Sequence, residues 1–442
     1  MNQNSQPFAS LSHSLGKITL TALTTFSILT PISLQGVAKA EIVDSPKSVV
    51  DEVWQIVNNE FVDKDFNHND WVKVRSELLS KSYTSKEQAY EAIRAALKRL
   101  DDPYTRFLEP SAFAELTSQT AGELSGVGIR LEIDEKTSEL KVYEPIPNSP
   151  ALEAGVQAGD KILKIDDKPT SLMTIEQASE LIRGEAGTSI TLQLSRPDKG
   201  VFEVTIVRAQ IELPTVSYSV KQEGNLAVGY IKLDEFSSHA AEQMEEAIVA
   251  LQEKKVSGFV LDLRGNPGGL LFASVDIARM WIKTGEIVHT IDRKGGDRVF
   301  SANNTAITDL PLVVLVDENS ASASEILTGA LKDNRRATIV GTNTFGKGLV
   351  QSVHALSDGS GLAVTIARYY PPSGIDINRK GISPDVSQNL TEDEIKNLNS
   401  NPSLIGTEAD PQYSKAISVL QSNITSGNVS QSNQFSDKAK VN

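Results

Sequence analysis

The sequence predicts an α/β core preceded by a helical region and interrupted by a β-rich insert. Three observations carry that prediction. Between about residues 225 and 387, continuous apolar strands such as "GFVLDLRG" and "LPLVVLVDE" alternate with helices such as "SASEILTGALKDN". Runs of that kind are expected where both faces of a sheet are buried. Between about 122 and 209, short β-type runs ("SGVGIRLEI", "DKILKIDD", "TSITLQLSR") are separated by Gly, Pro and charged turns. Before them, residues 44–110 space apolar side chains three and four apart, the helical period.

In chain order, residues 1–40 come first. They contain no Asp or Glu, carry Lys17, run through "ITLTALTTFSILTPISL" (18–34) and reach "AKA" at 38–40. That pattern reads as a secretory signal cut after Ala40. An uncleaved anchor helix is the alternative, but seventeen residues diluted by Thr, Ser and Pro31 are short for a span of about 20. Residues 41–110 form the helical region, with Ser85 and Gln88 as a capping box and "DDPYTRFLEP" as its end. Residues 111–210 form the β-rich insert, which includes one amphipathic helix, "TIEQASELIRG" (174–184). Residues 211–390 form the core. In 391–442, "PQYSKAISVLQS" reads as a last helix, and 423–442, rich in Asn, Ser and Gln, as a disordered tail.

Composition excludes several functions. The chain of 442 residues has a net charge of −14. Removing residues 1–40, with Lys17, Lys39 and no acid, makes it −16. No basic run offsets this, so nucleic acid is not an expected partner. There is no cysteine, which rules out disulfides, thiol catalysis and Cys-based zinc. The five histidines are scattered without H-E-x-x-H, so a metal hydrolase is not expected.

"GTNTFGKGLV" (341–350) imitates a phosphate-binding loop up to Lys347, but the next residue is Gly348 instead of Ser or Thr. The stretch beyond Gly348 alternates like a strand, not a helix, and the acidic strand "VVLVDE" precedes the loop. The other use of Lys347 is as a base. A lysine near its ordinary pKa of about 10.4 is protonated at neutral pH, so it must be desolvated to accept a proton. No carboxylate lies within ten residues of Lys347 on either side. Serines that could partner it occur in "ENSASASEIL" (318–327), after a buried strand and at the start of a helix. Backbone N–H groups at such a helix start can stabilise an oxyanion. A second loop, "LRGNPGGL" (263–270), offers Gly268 and Gly269 for the same purpose. Helix capping and a tight turn are the plainer uses of these serines and glycines.

Together, "DLRGNPGGLL", "VLVDENSASASEIL", "TFGKGLVQ" and "PPSGIDINRKGISPDV" resemble the carboxyl-terminal processing (tail-specific) serine proteases, most closely their cyanobacterial and chloroplast members. The resemblance implies a crotonase/ClpP-like α/β protease core with an inserted PDZ domain. It implies Ser322 as nucleophile, Lys347 as base and Gln351 as the residue that orients the lysine, with no metal or other cofactor needed. It also implies an oxyanion hole from the amide of Ala323 and one glycine of "NPGG", taken as Gly268 with Gly269 close behind. In the PDZ domain, Gly126, Val127, Gly128 and Ile129 match the loop that captures a C-terminal carboxylate. Ile175, Ala178 and Ile182 are expected on the opposite groove wall, with ordinary core as the plainer role of each. Arg183 matches an arginine that couples the PDZ domain to the active site, and PDZ movement is expected to gate catalysis. The partners implied are proteins or peptides with accessible, apolar C-termini, membrane-associated ones included. A homodimer through the N-terminal helices and a periplasmic or thylakoid-lumen location complete the expectation. Two rivals are a non-cleaving adaptor and a Ser-His-Asp hydrolase using His354.

Overall fold

A computed structural model of the chain describes residues 45–134 and 137–438, with side chains as far as residue 426. The expected signal segment lies outside the described residues.

The N-terminal region consists of α1 (Pro46–Glu60), α2 (Trp71–Ser80), α3 (Lys86–Leu97), β1 (Arg106–Leu108) and α4 (Pro110–Ala121). The Ser85 side chain accepts from the Gln88 N–H, but the Gln88 side chain reaches back to the N–H of Thr84, not of Ser85. The helical spacing of Val50, Val53, Val57, Tyr90 and Ile93 gives one buried cluster, which also takes Leu362 and Val364 from the α/β core. Residues 111–121, expected in the β-rich insert, are helical instead. Helix α4 buries none of its residues fully, so its sequence shows little of the apolar period that marks α1 and α3.

The insert contains β2 (Glu123–Gly126), β3 (Ile129–Ile133), β4 (Leu140–Pro145), α5 (Pro150–Glu153), β5 (Lys161–Ile165), β6 (Lys168–Pro169), α6 (Ile175–Ile182), β7 (Ser189–Arg196), β8 (Gly200–Val207) and β9 (Ala209–Glu212). Its main sheet runs β3-β4-β5-β7-β8, with β3 at one edge, and β2 pairs with β9 where the insert joins the core. Alternate residues Ile190, Leu192 and Leu194 of β7 point inward, the period-two pattern of a half-buried strand.

The core comprises β10 (Val216–Glu223), β11 (Leu226–Leu233), α7 (Ala240–Glu253), β12 (Gly258–Asp262), α8 (Leu271–Trp281), β13 (Glu286–Asp292), β14 (Asp297–Ser301), β15 (Leu312–Val316), α9 (Ala323–Asp333), β16 (Thr338–Gly341), β17 (Leu349–Ala355), β18 (Gly361–Tyr370), β19 (Val386–Ser387), α10 (Glu392–Ser400) and α11 (Pro411–Lys438). One sheet has the order β10-β11-β12-β15-β16-β19, parallel from β11 onward. Every residue of β12 and β15 is buried, for the reason their unbroken apolar runs suggest. Phe259, Leu261 and Val314 face α7, α8 and α9, while Val260, Val313 and Leu315 face Tyr413, Ile417 and Leu420 of α11. A second sheet, built on β18 with β17 on one edge and β1 and β13 on the other, covers the far side of α8 and α9. Helix α11 continues through the stretch expected to be a tail, although its described apolar contacts end at Ile424.

Candidate active site

The parallel sheet delivers the two loops singled out from the sequence to one place. Strand β15 ends at Val316, and Asp317–Ser322 turn the chain into α9, with Ser322 as its N-cap at φ 55°, ψ −113°. A left-handed φ at a non-glycine residue stores roughly 1–3 kcal/mol and persists only where its surroundings enforce it. A strained strand-to-helix turn of this kind is how a nucleophile elbow lifts a serine Oγ above a buried sheet. Here the enforcement is visible. The Ala321 N–H donates to Asn266 O at 3.0 Å, the Ser324 hydroxyl to the same carbonyl at 3.0 Å, and the Ser320 hydroxyl to Leu263 O at 2.8 Å. The Tyr369 hydroxyl donates to Ser322 O at 3.0 Å. The serines flanking Ser322 therefore stitch its loop to loop 263–270.

Gly268 shows how closely the loops meet. At its φ of 107°, a Cβ would stand 2.8 Å from Ser322 Cβ and 2.7 Å from Ala321 O, so only glycine fits. Its N–H donates to Asn266 Oδ1 at 2.8 Å. The N–H groups of Gly269 and Ala323 make no hydrogen bond among the described residues. Beneath the loop lies a buried ion network. Arg264 pairs with Asp262 at 2.6 Å and with Asp410 at 2.7 Å, and the Tyr230 hydroxyl donates to Asp262 at 2.7 Å. Burial opposes charge on Asp262, but the Arg264 guanidinium outweighs it and holds the carboxyl below its usual range.

Lys347 lies between β16 and β17, in a loop braced by "GIDINRKGIS": Arg379 N–H donates to Gly346 O at 2.7 Å. Its Nζ donates to Gln351 Oε1 at 2.9 Å and stands 4.7 Å from the centre of the Tyr104 ring. The Gln351 amide in turn donates to Tyr104 O at 2.5 Å. Burial lowers the lysine's pKa, the charge of Arg106 adds to the lowering, and Asp102 and Glu325 oppose it. Ser322, Ala323, Gly268, Gly269, Lys347 and Gln351 all line one cavity of about 370 Å³ whose remaining walls include Leu116, Leu270, Ile326 and Val350. Among the described residues no hydrogen bond joins Ser322 Oγ to Lys347 Nζ. After Gly348 the chain enters the β17–β18 hairpin, so no helix stands there to face a phosphate. His354 is occupied elsewhere, 2.9 Å from Glu60.

Comparison with known proteins assigns this architecture. Residues 227–388 match the profile of peptidase family S41, and residues 141–196 that of a PDZ domain. A carboxyl-terminal-processing protease of Synechocystis sp. is 42% identical over 369 residues, 83% of this chain and 85% of the relative. The chain belongs to peptidase family S41. A chloroplastic C-terminal processing peptidase of Tetradesmus obliquus is 40% identical over 362 residues, 78% of each chain. The solved structure of a photosystem II D1 C-terminal processing protease matches with a TM-score of 0.52 at 38% identity, across 84% of this chain and 100% of the other. This S41 chain is a carboxyl-terminal-processing serine peptidase with a ClpP/crotonase-like α/β core and an inserted PDZ domain.

In the PDZ domain of this S41 peptidase, the expected carboxylate loop joins β2 to β3. The carbonyls of Val127 and Gly128 accept from Ala151 and Ile146, whereas the N–H groups of Val127 and Gly128 make no hydrogen bond among the described residues. Gly128 has φ 81°, and a Cβ there would lie 2.3 Å from that of Ser149. Gly126 pairs with Ala209 at the join to the core. Val127, Ala178 and Ile182 are buried in the PDZ core, while Ile129 and Ile175 are half-buried against it. Arg183 is exposed at the end of α6, and its side chain has no hydrogen bond or ion pair among the described residues.

Several site residues are not apparent from the sequence. Glu325 is fully buried and accepts from Thr344 Oγ1 (2.6 Å), Gly346 N (2.6 Å), Lys347 N (2.8 Å) and Ser322 N (3.0 Å). It ties the serine loop to the lysine loop. "DDPYTRFLEP", which the sequence marks only as the end of the helical region, supplies the Tyr104 ring and carbonyl and places Arg106 in the cavity. Two aromatic residues, Tyr104 and Phe107, amid charges and two prolines at the end of an otherwise helical stretch are the signal of that role in the sequence.

Proposed function

We propose that this S41 peptidase is exported and cleaves near protein C-termini with Ser322 as nucleophile and Lys347 as general base. The observation that carries the proposal is their common cavity: a strained serine at a helix N-terminus and a desolvated lysine line the same 370 Å³ space. Neutral Lys347 takes the Ser322 proton as Oγ attacks the scissile carbonyl, and returns it to the leaving amine. Gln351, itself fixed by the Tyr104 carbonyl, orients the lysine through its Oε1. Because the Gly268 N–H is held by Asn266, the amides of Gly269 and Ala323 are the ones left to receive the oxyanion. Water then hydrolyses the acyl-enzyme with the same lysine as base. The neutral amine keeps one N–H on Gln351 Oε1 while its lone pair receives the Ser322 proton; the Oγ–Nζ contact this requires is a tightening that substrate binding commonly brings about.

The free N–H groups of Val127 and Gly128, at the end of edge strand β3 and beside α6, support capture of a C-terminal carboxylate with the peptide added as a strand. Export is supported by the pattern of residues 1–40 and by chloroplastic relatives. The test is Ser322→Ala assayed on an unstructured peptide with a free apolar C-terminus. Cleavage should vanish while binding persists, and C-terminal amidation of the peptide should weaken binding. Residual cleavage by Ser322→Ala at more than about one part in a thousand of wild type would point to another nucleophile.

A further inference from the structure

Glu235 stands apart from the other carboxylates around the catalytic cavity. It lies just beyond β11, where Phe236 forms a bridge to Gly269: Phe236 N–H donates to Gly268 O at 2.8 Å and Leu270 N–H to Phe236 O at 2.8 Å. That bridge fixes Glu235 beside the glycine loop, and it lines the same cavity as Ser322 and Lys347. It is half-buried, yet it makes no hydrogen bond or ion pair among the described residues. Its neighbour Asp234, by contrast, holds Lys232. Burial alone pushes the Glu235 carboxyl up, since no cation among the described residues offsets it. The cations that line the cavity, Arg106 and Lys347, come from β1 and the loop before β17.

We propose that Glu235 is a specificity-determining residue that selects a lysine or arginine side chain close to the scissile bond. The proposal rests on the serine-protease reading of this cavity. A chain whose scissile carbonyl reaches the Gly269 and Ala323 amides must pass the loop to which Glu235 is joined. A cation there gives a half-buried carboxylate the partner that the fold withholds, and an acidic side chain meets like charge in the same partly desolvated space. The surrounding Leu116, Leu270 and Ile326 accommodate the aliphatic stem of a lysine.

The test is a set of unstructured peptides with one free apolar C-terminus, in which each of the three positions on either side of the cut bond is Lys, Gln or Glu in turn. In the wild type, one position should favour Lys over Glu by about tenfold in kcat/KM, equivalent to ~1.4 kcal/mol. Glu235→Gln should level that ratio to within about threefold, and Glu235→Lys should reverse it. The ratios are internal to each protein, so partial loss of folded enzyme cancels. Equal ratios at every position in the wild type overturn the proposal, as does a preference that survives both substitutions. A KM raised equally for all peptides in Glu235→Gln also overturns it, because it would mark a backbone contact. A wild type that cleaves none of the peptides overturns the protease reading, and this proposal with it.

Discussion

Replacing Glu325 should uncouple the Ser322 loop from the Lys347 loop. Its carboxylate takes four hydrogen bonds, from Thr344 Oγ1, Gly346 N, Lys347 N and Ser322 N, and is fully buried. In Glu325→Gln the best arrangement keeps the amide oxygen on Ser322 N and Lys347 N and turns the NH₂ toward Thr344 Oγ1. The Gly346 N–H then has no acceptor, at a cost of about 1–3 kcal/mol, and the remaining bonds lose charge assistance worth roughly 1 kcal/mol. We expect about 3 kcal/mol of lost stability for Gln and about 5 kcal/mol for Ala, which orphans all four donors. Because two of those donors belong to Ser322 and Lys347, kcat should fall by about 100-fold in Glu325→Gln with KM little changed. Urea unfolding reports the first effect and turnover of an apolar-tailed peptide the second. Wild-type stability and kcat in Glu325→Ala would refute the reasoning, since no other side chain bridges those loops through the N–H groups of both Ser322 and Lys347 among the described residues.

The same geometry leads to further expected outcomes. Burial and then Arg106 hold Lys347 below the ordinary lysine range, so kcat/KM should climb as pH rises through that lowered value and the neutral amine appears. Arg106→Gln removes one cause, so the limb should move to higher pH: slower at neutral pH, recovering in alkali. An unmoved limb in a pH–rate profile would show that Arg106 does not act on the lysine. Arg264→Ala leaves Asp262 and Asp410, both fully buried, without their cation, and should cost about 3–5 kcal/mol in chemical unfolding. Arg264→Lys should restore little, because a lysine cannot span two carboxylates as a planar fork does. Gly268→Ala places a Cβ 2.8 Å from Ser322 Cβ, and its kcat should drop by about 100-fold; activity near wild type would mean the loops can part freely.

The sequence by itself determined most of the elements and singled out the residues of the proposed site. The helical period of α1 and α3, the unbroken apolar β12 and β15, and the alternation after Gly348 are local patterns set by how side chains project from each backbone geometry. Ser322, Lys347 and Gln351 were legible because they sit within motifs a few residues long. Helix α4 was not, because it buries none of its residues fully and so imprints little apolar period on its sequence. Tertiary structure alone decided what supports the pair. Gln351 depends on a carbonyl 247 residues away, and Arg264 on a carboxylate 146 residues away. Lys347 has no acid near it in sequence, yet Glu325 and Asp102 both act on it once the chain is folded. Nor could the motif tell that the Gly268 N–H is already taken by Asn266 while that of Gly269 has no partner among the described residues. The physical reason is common to all of these. Periodicity records which face of an element is buried, but a hydrogen bond or a Coulomb interaction depends on distance in space, which folding sets between residues that the chain keeps far apart.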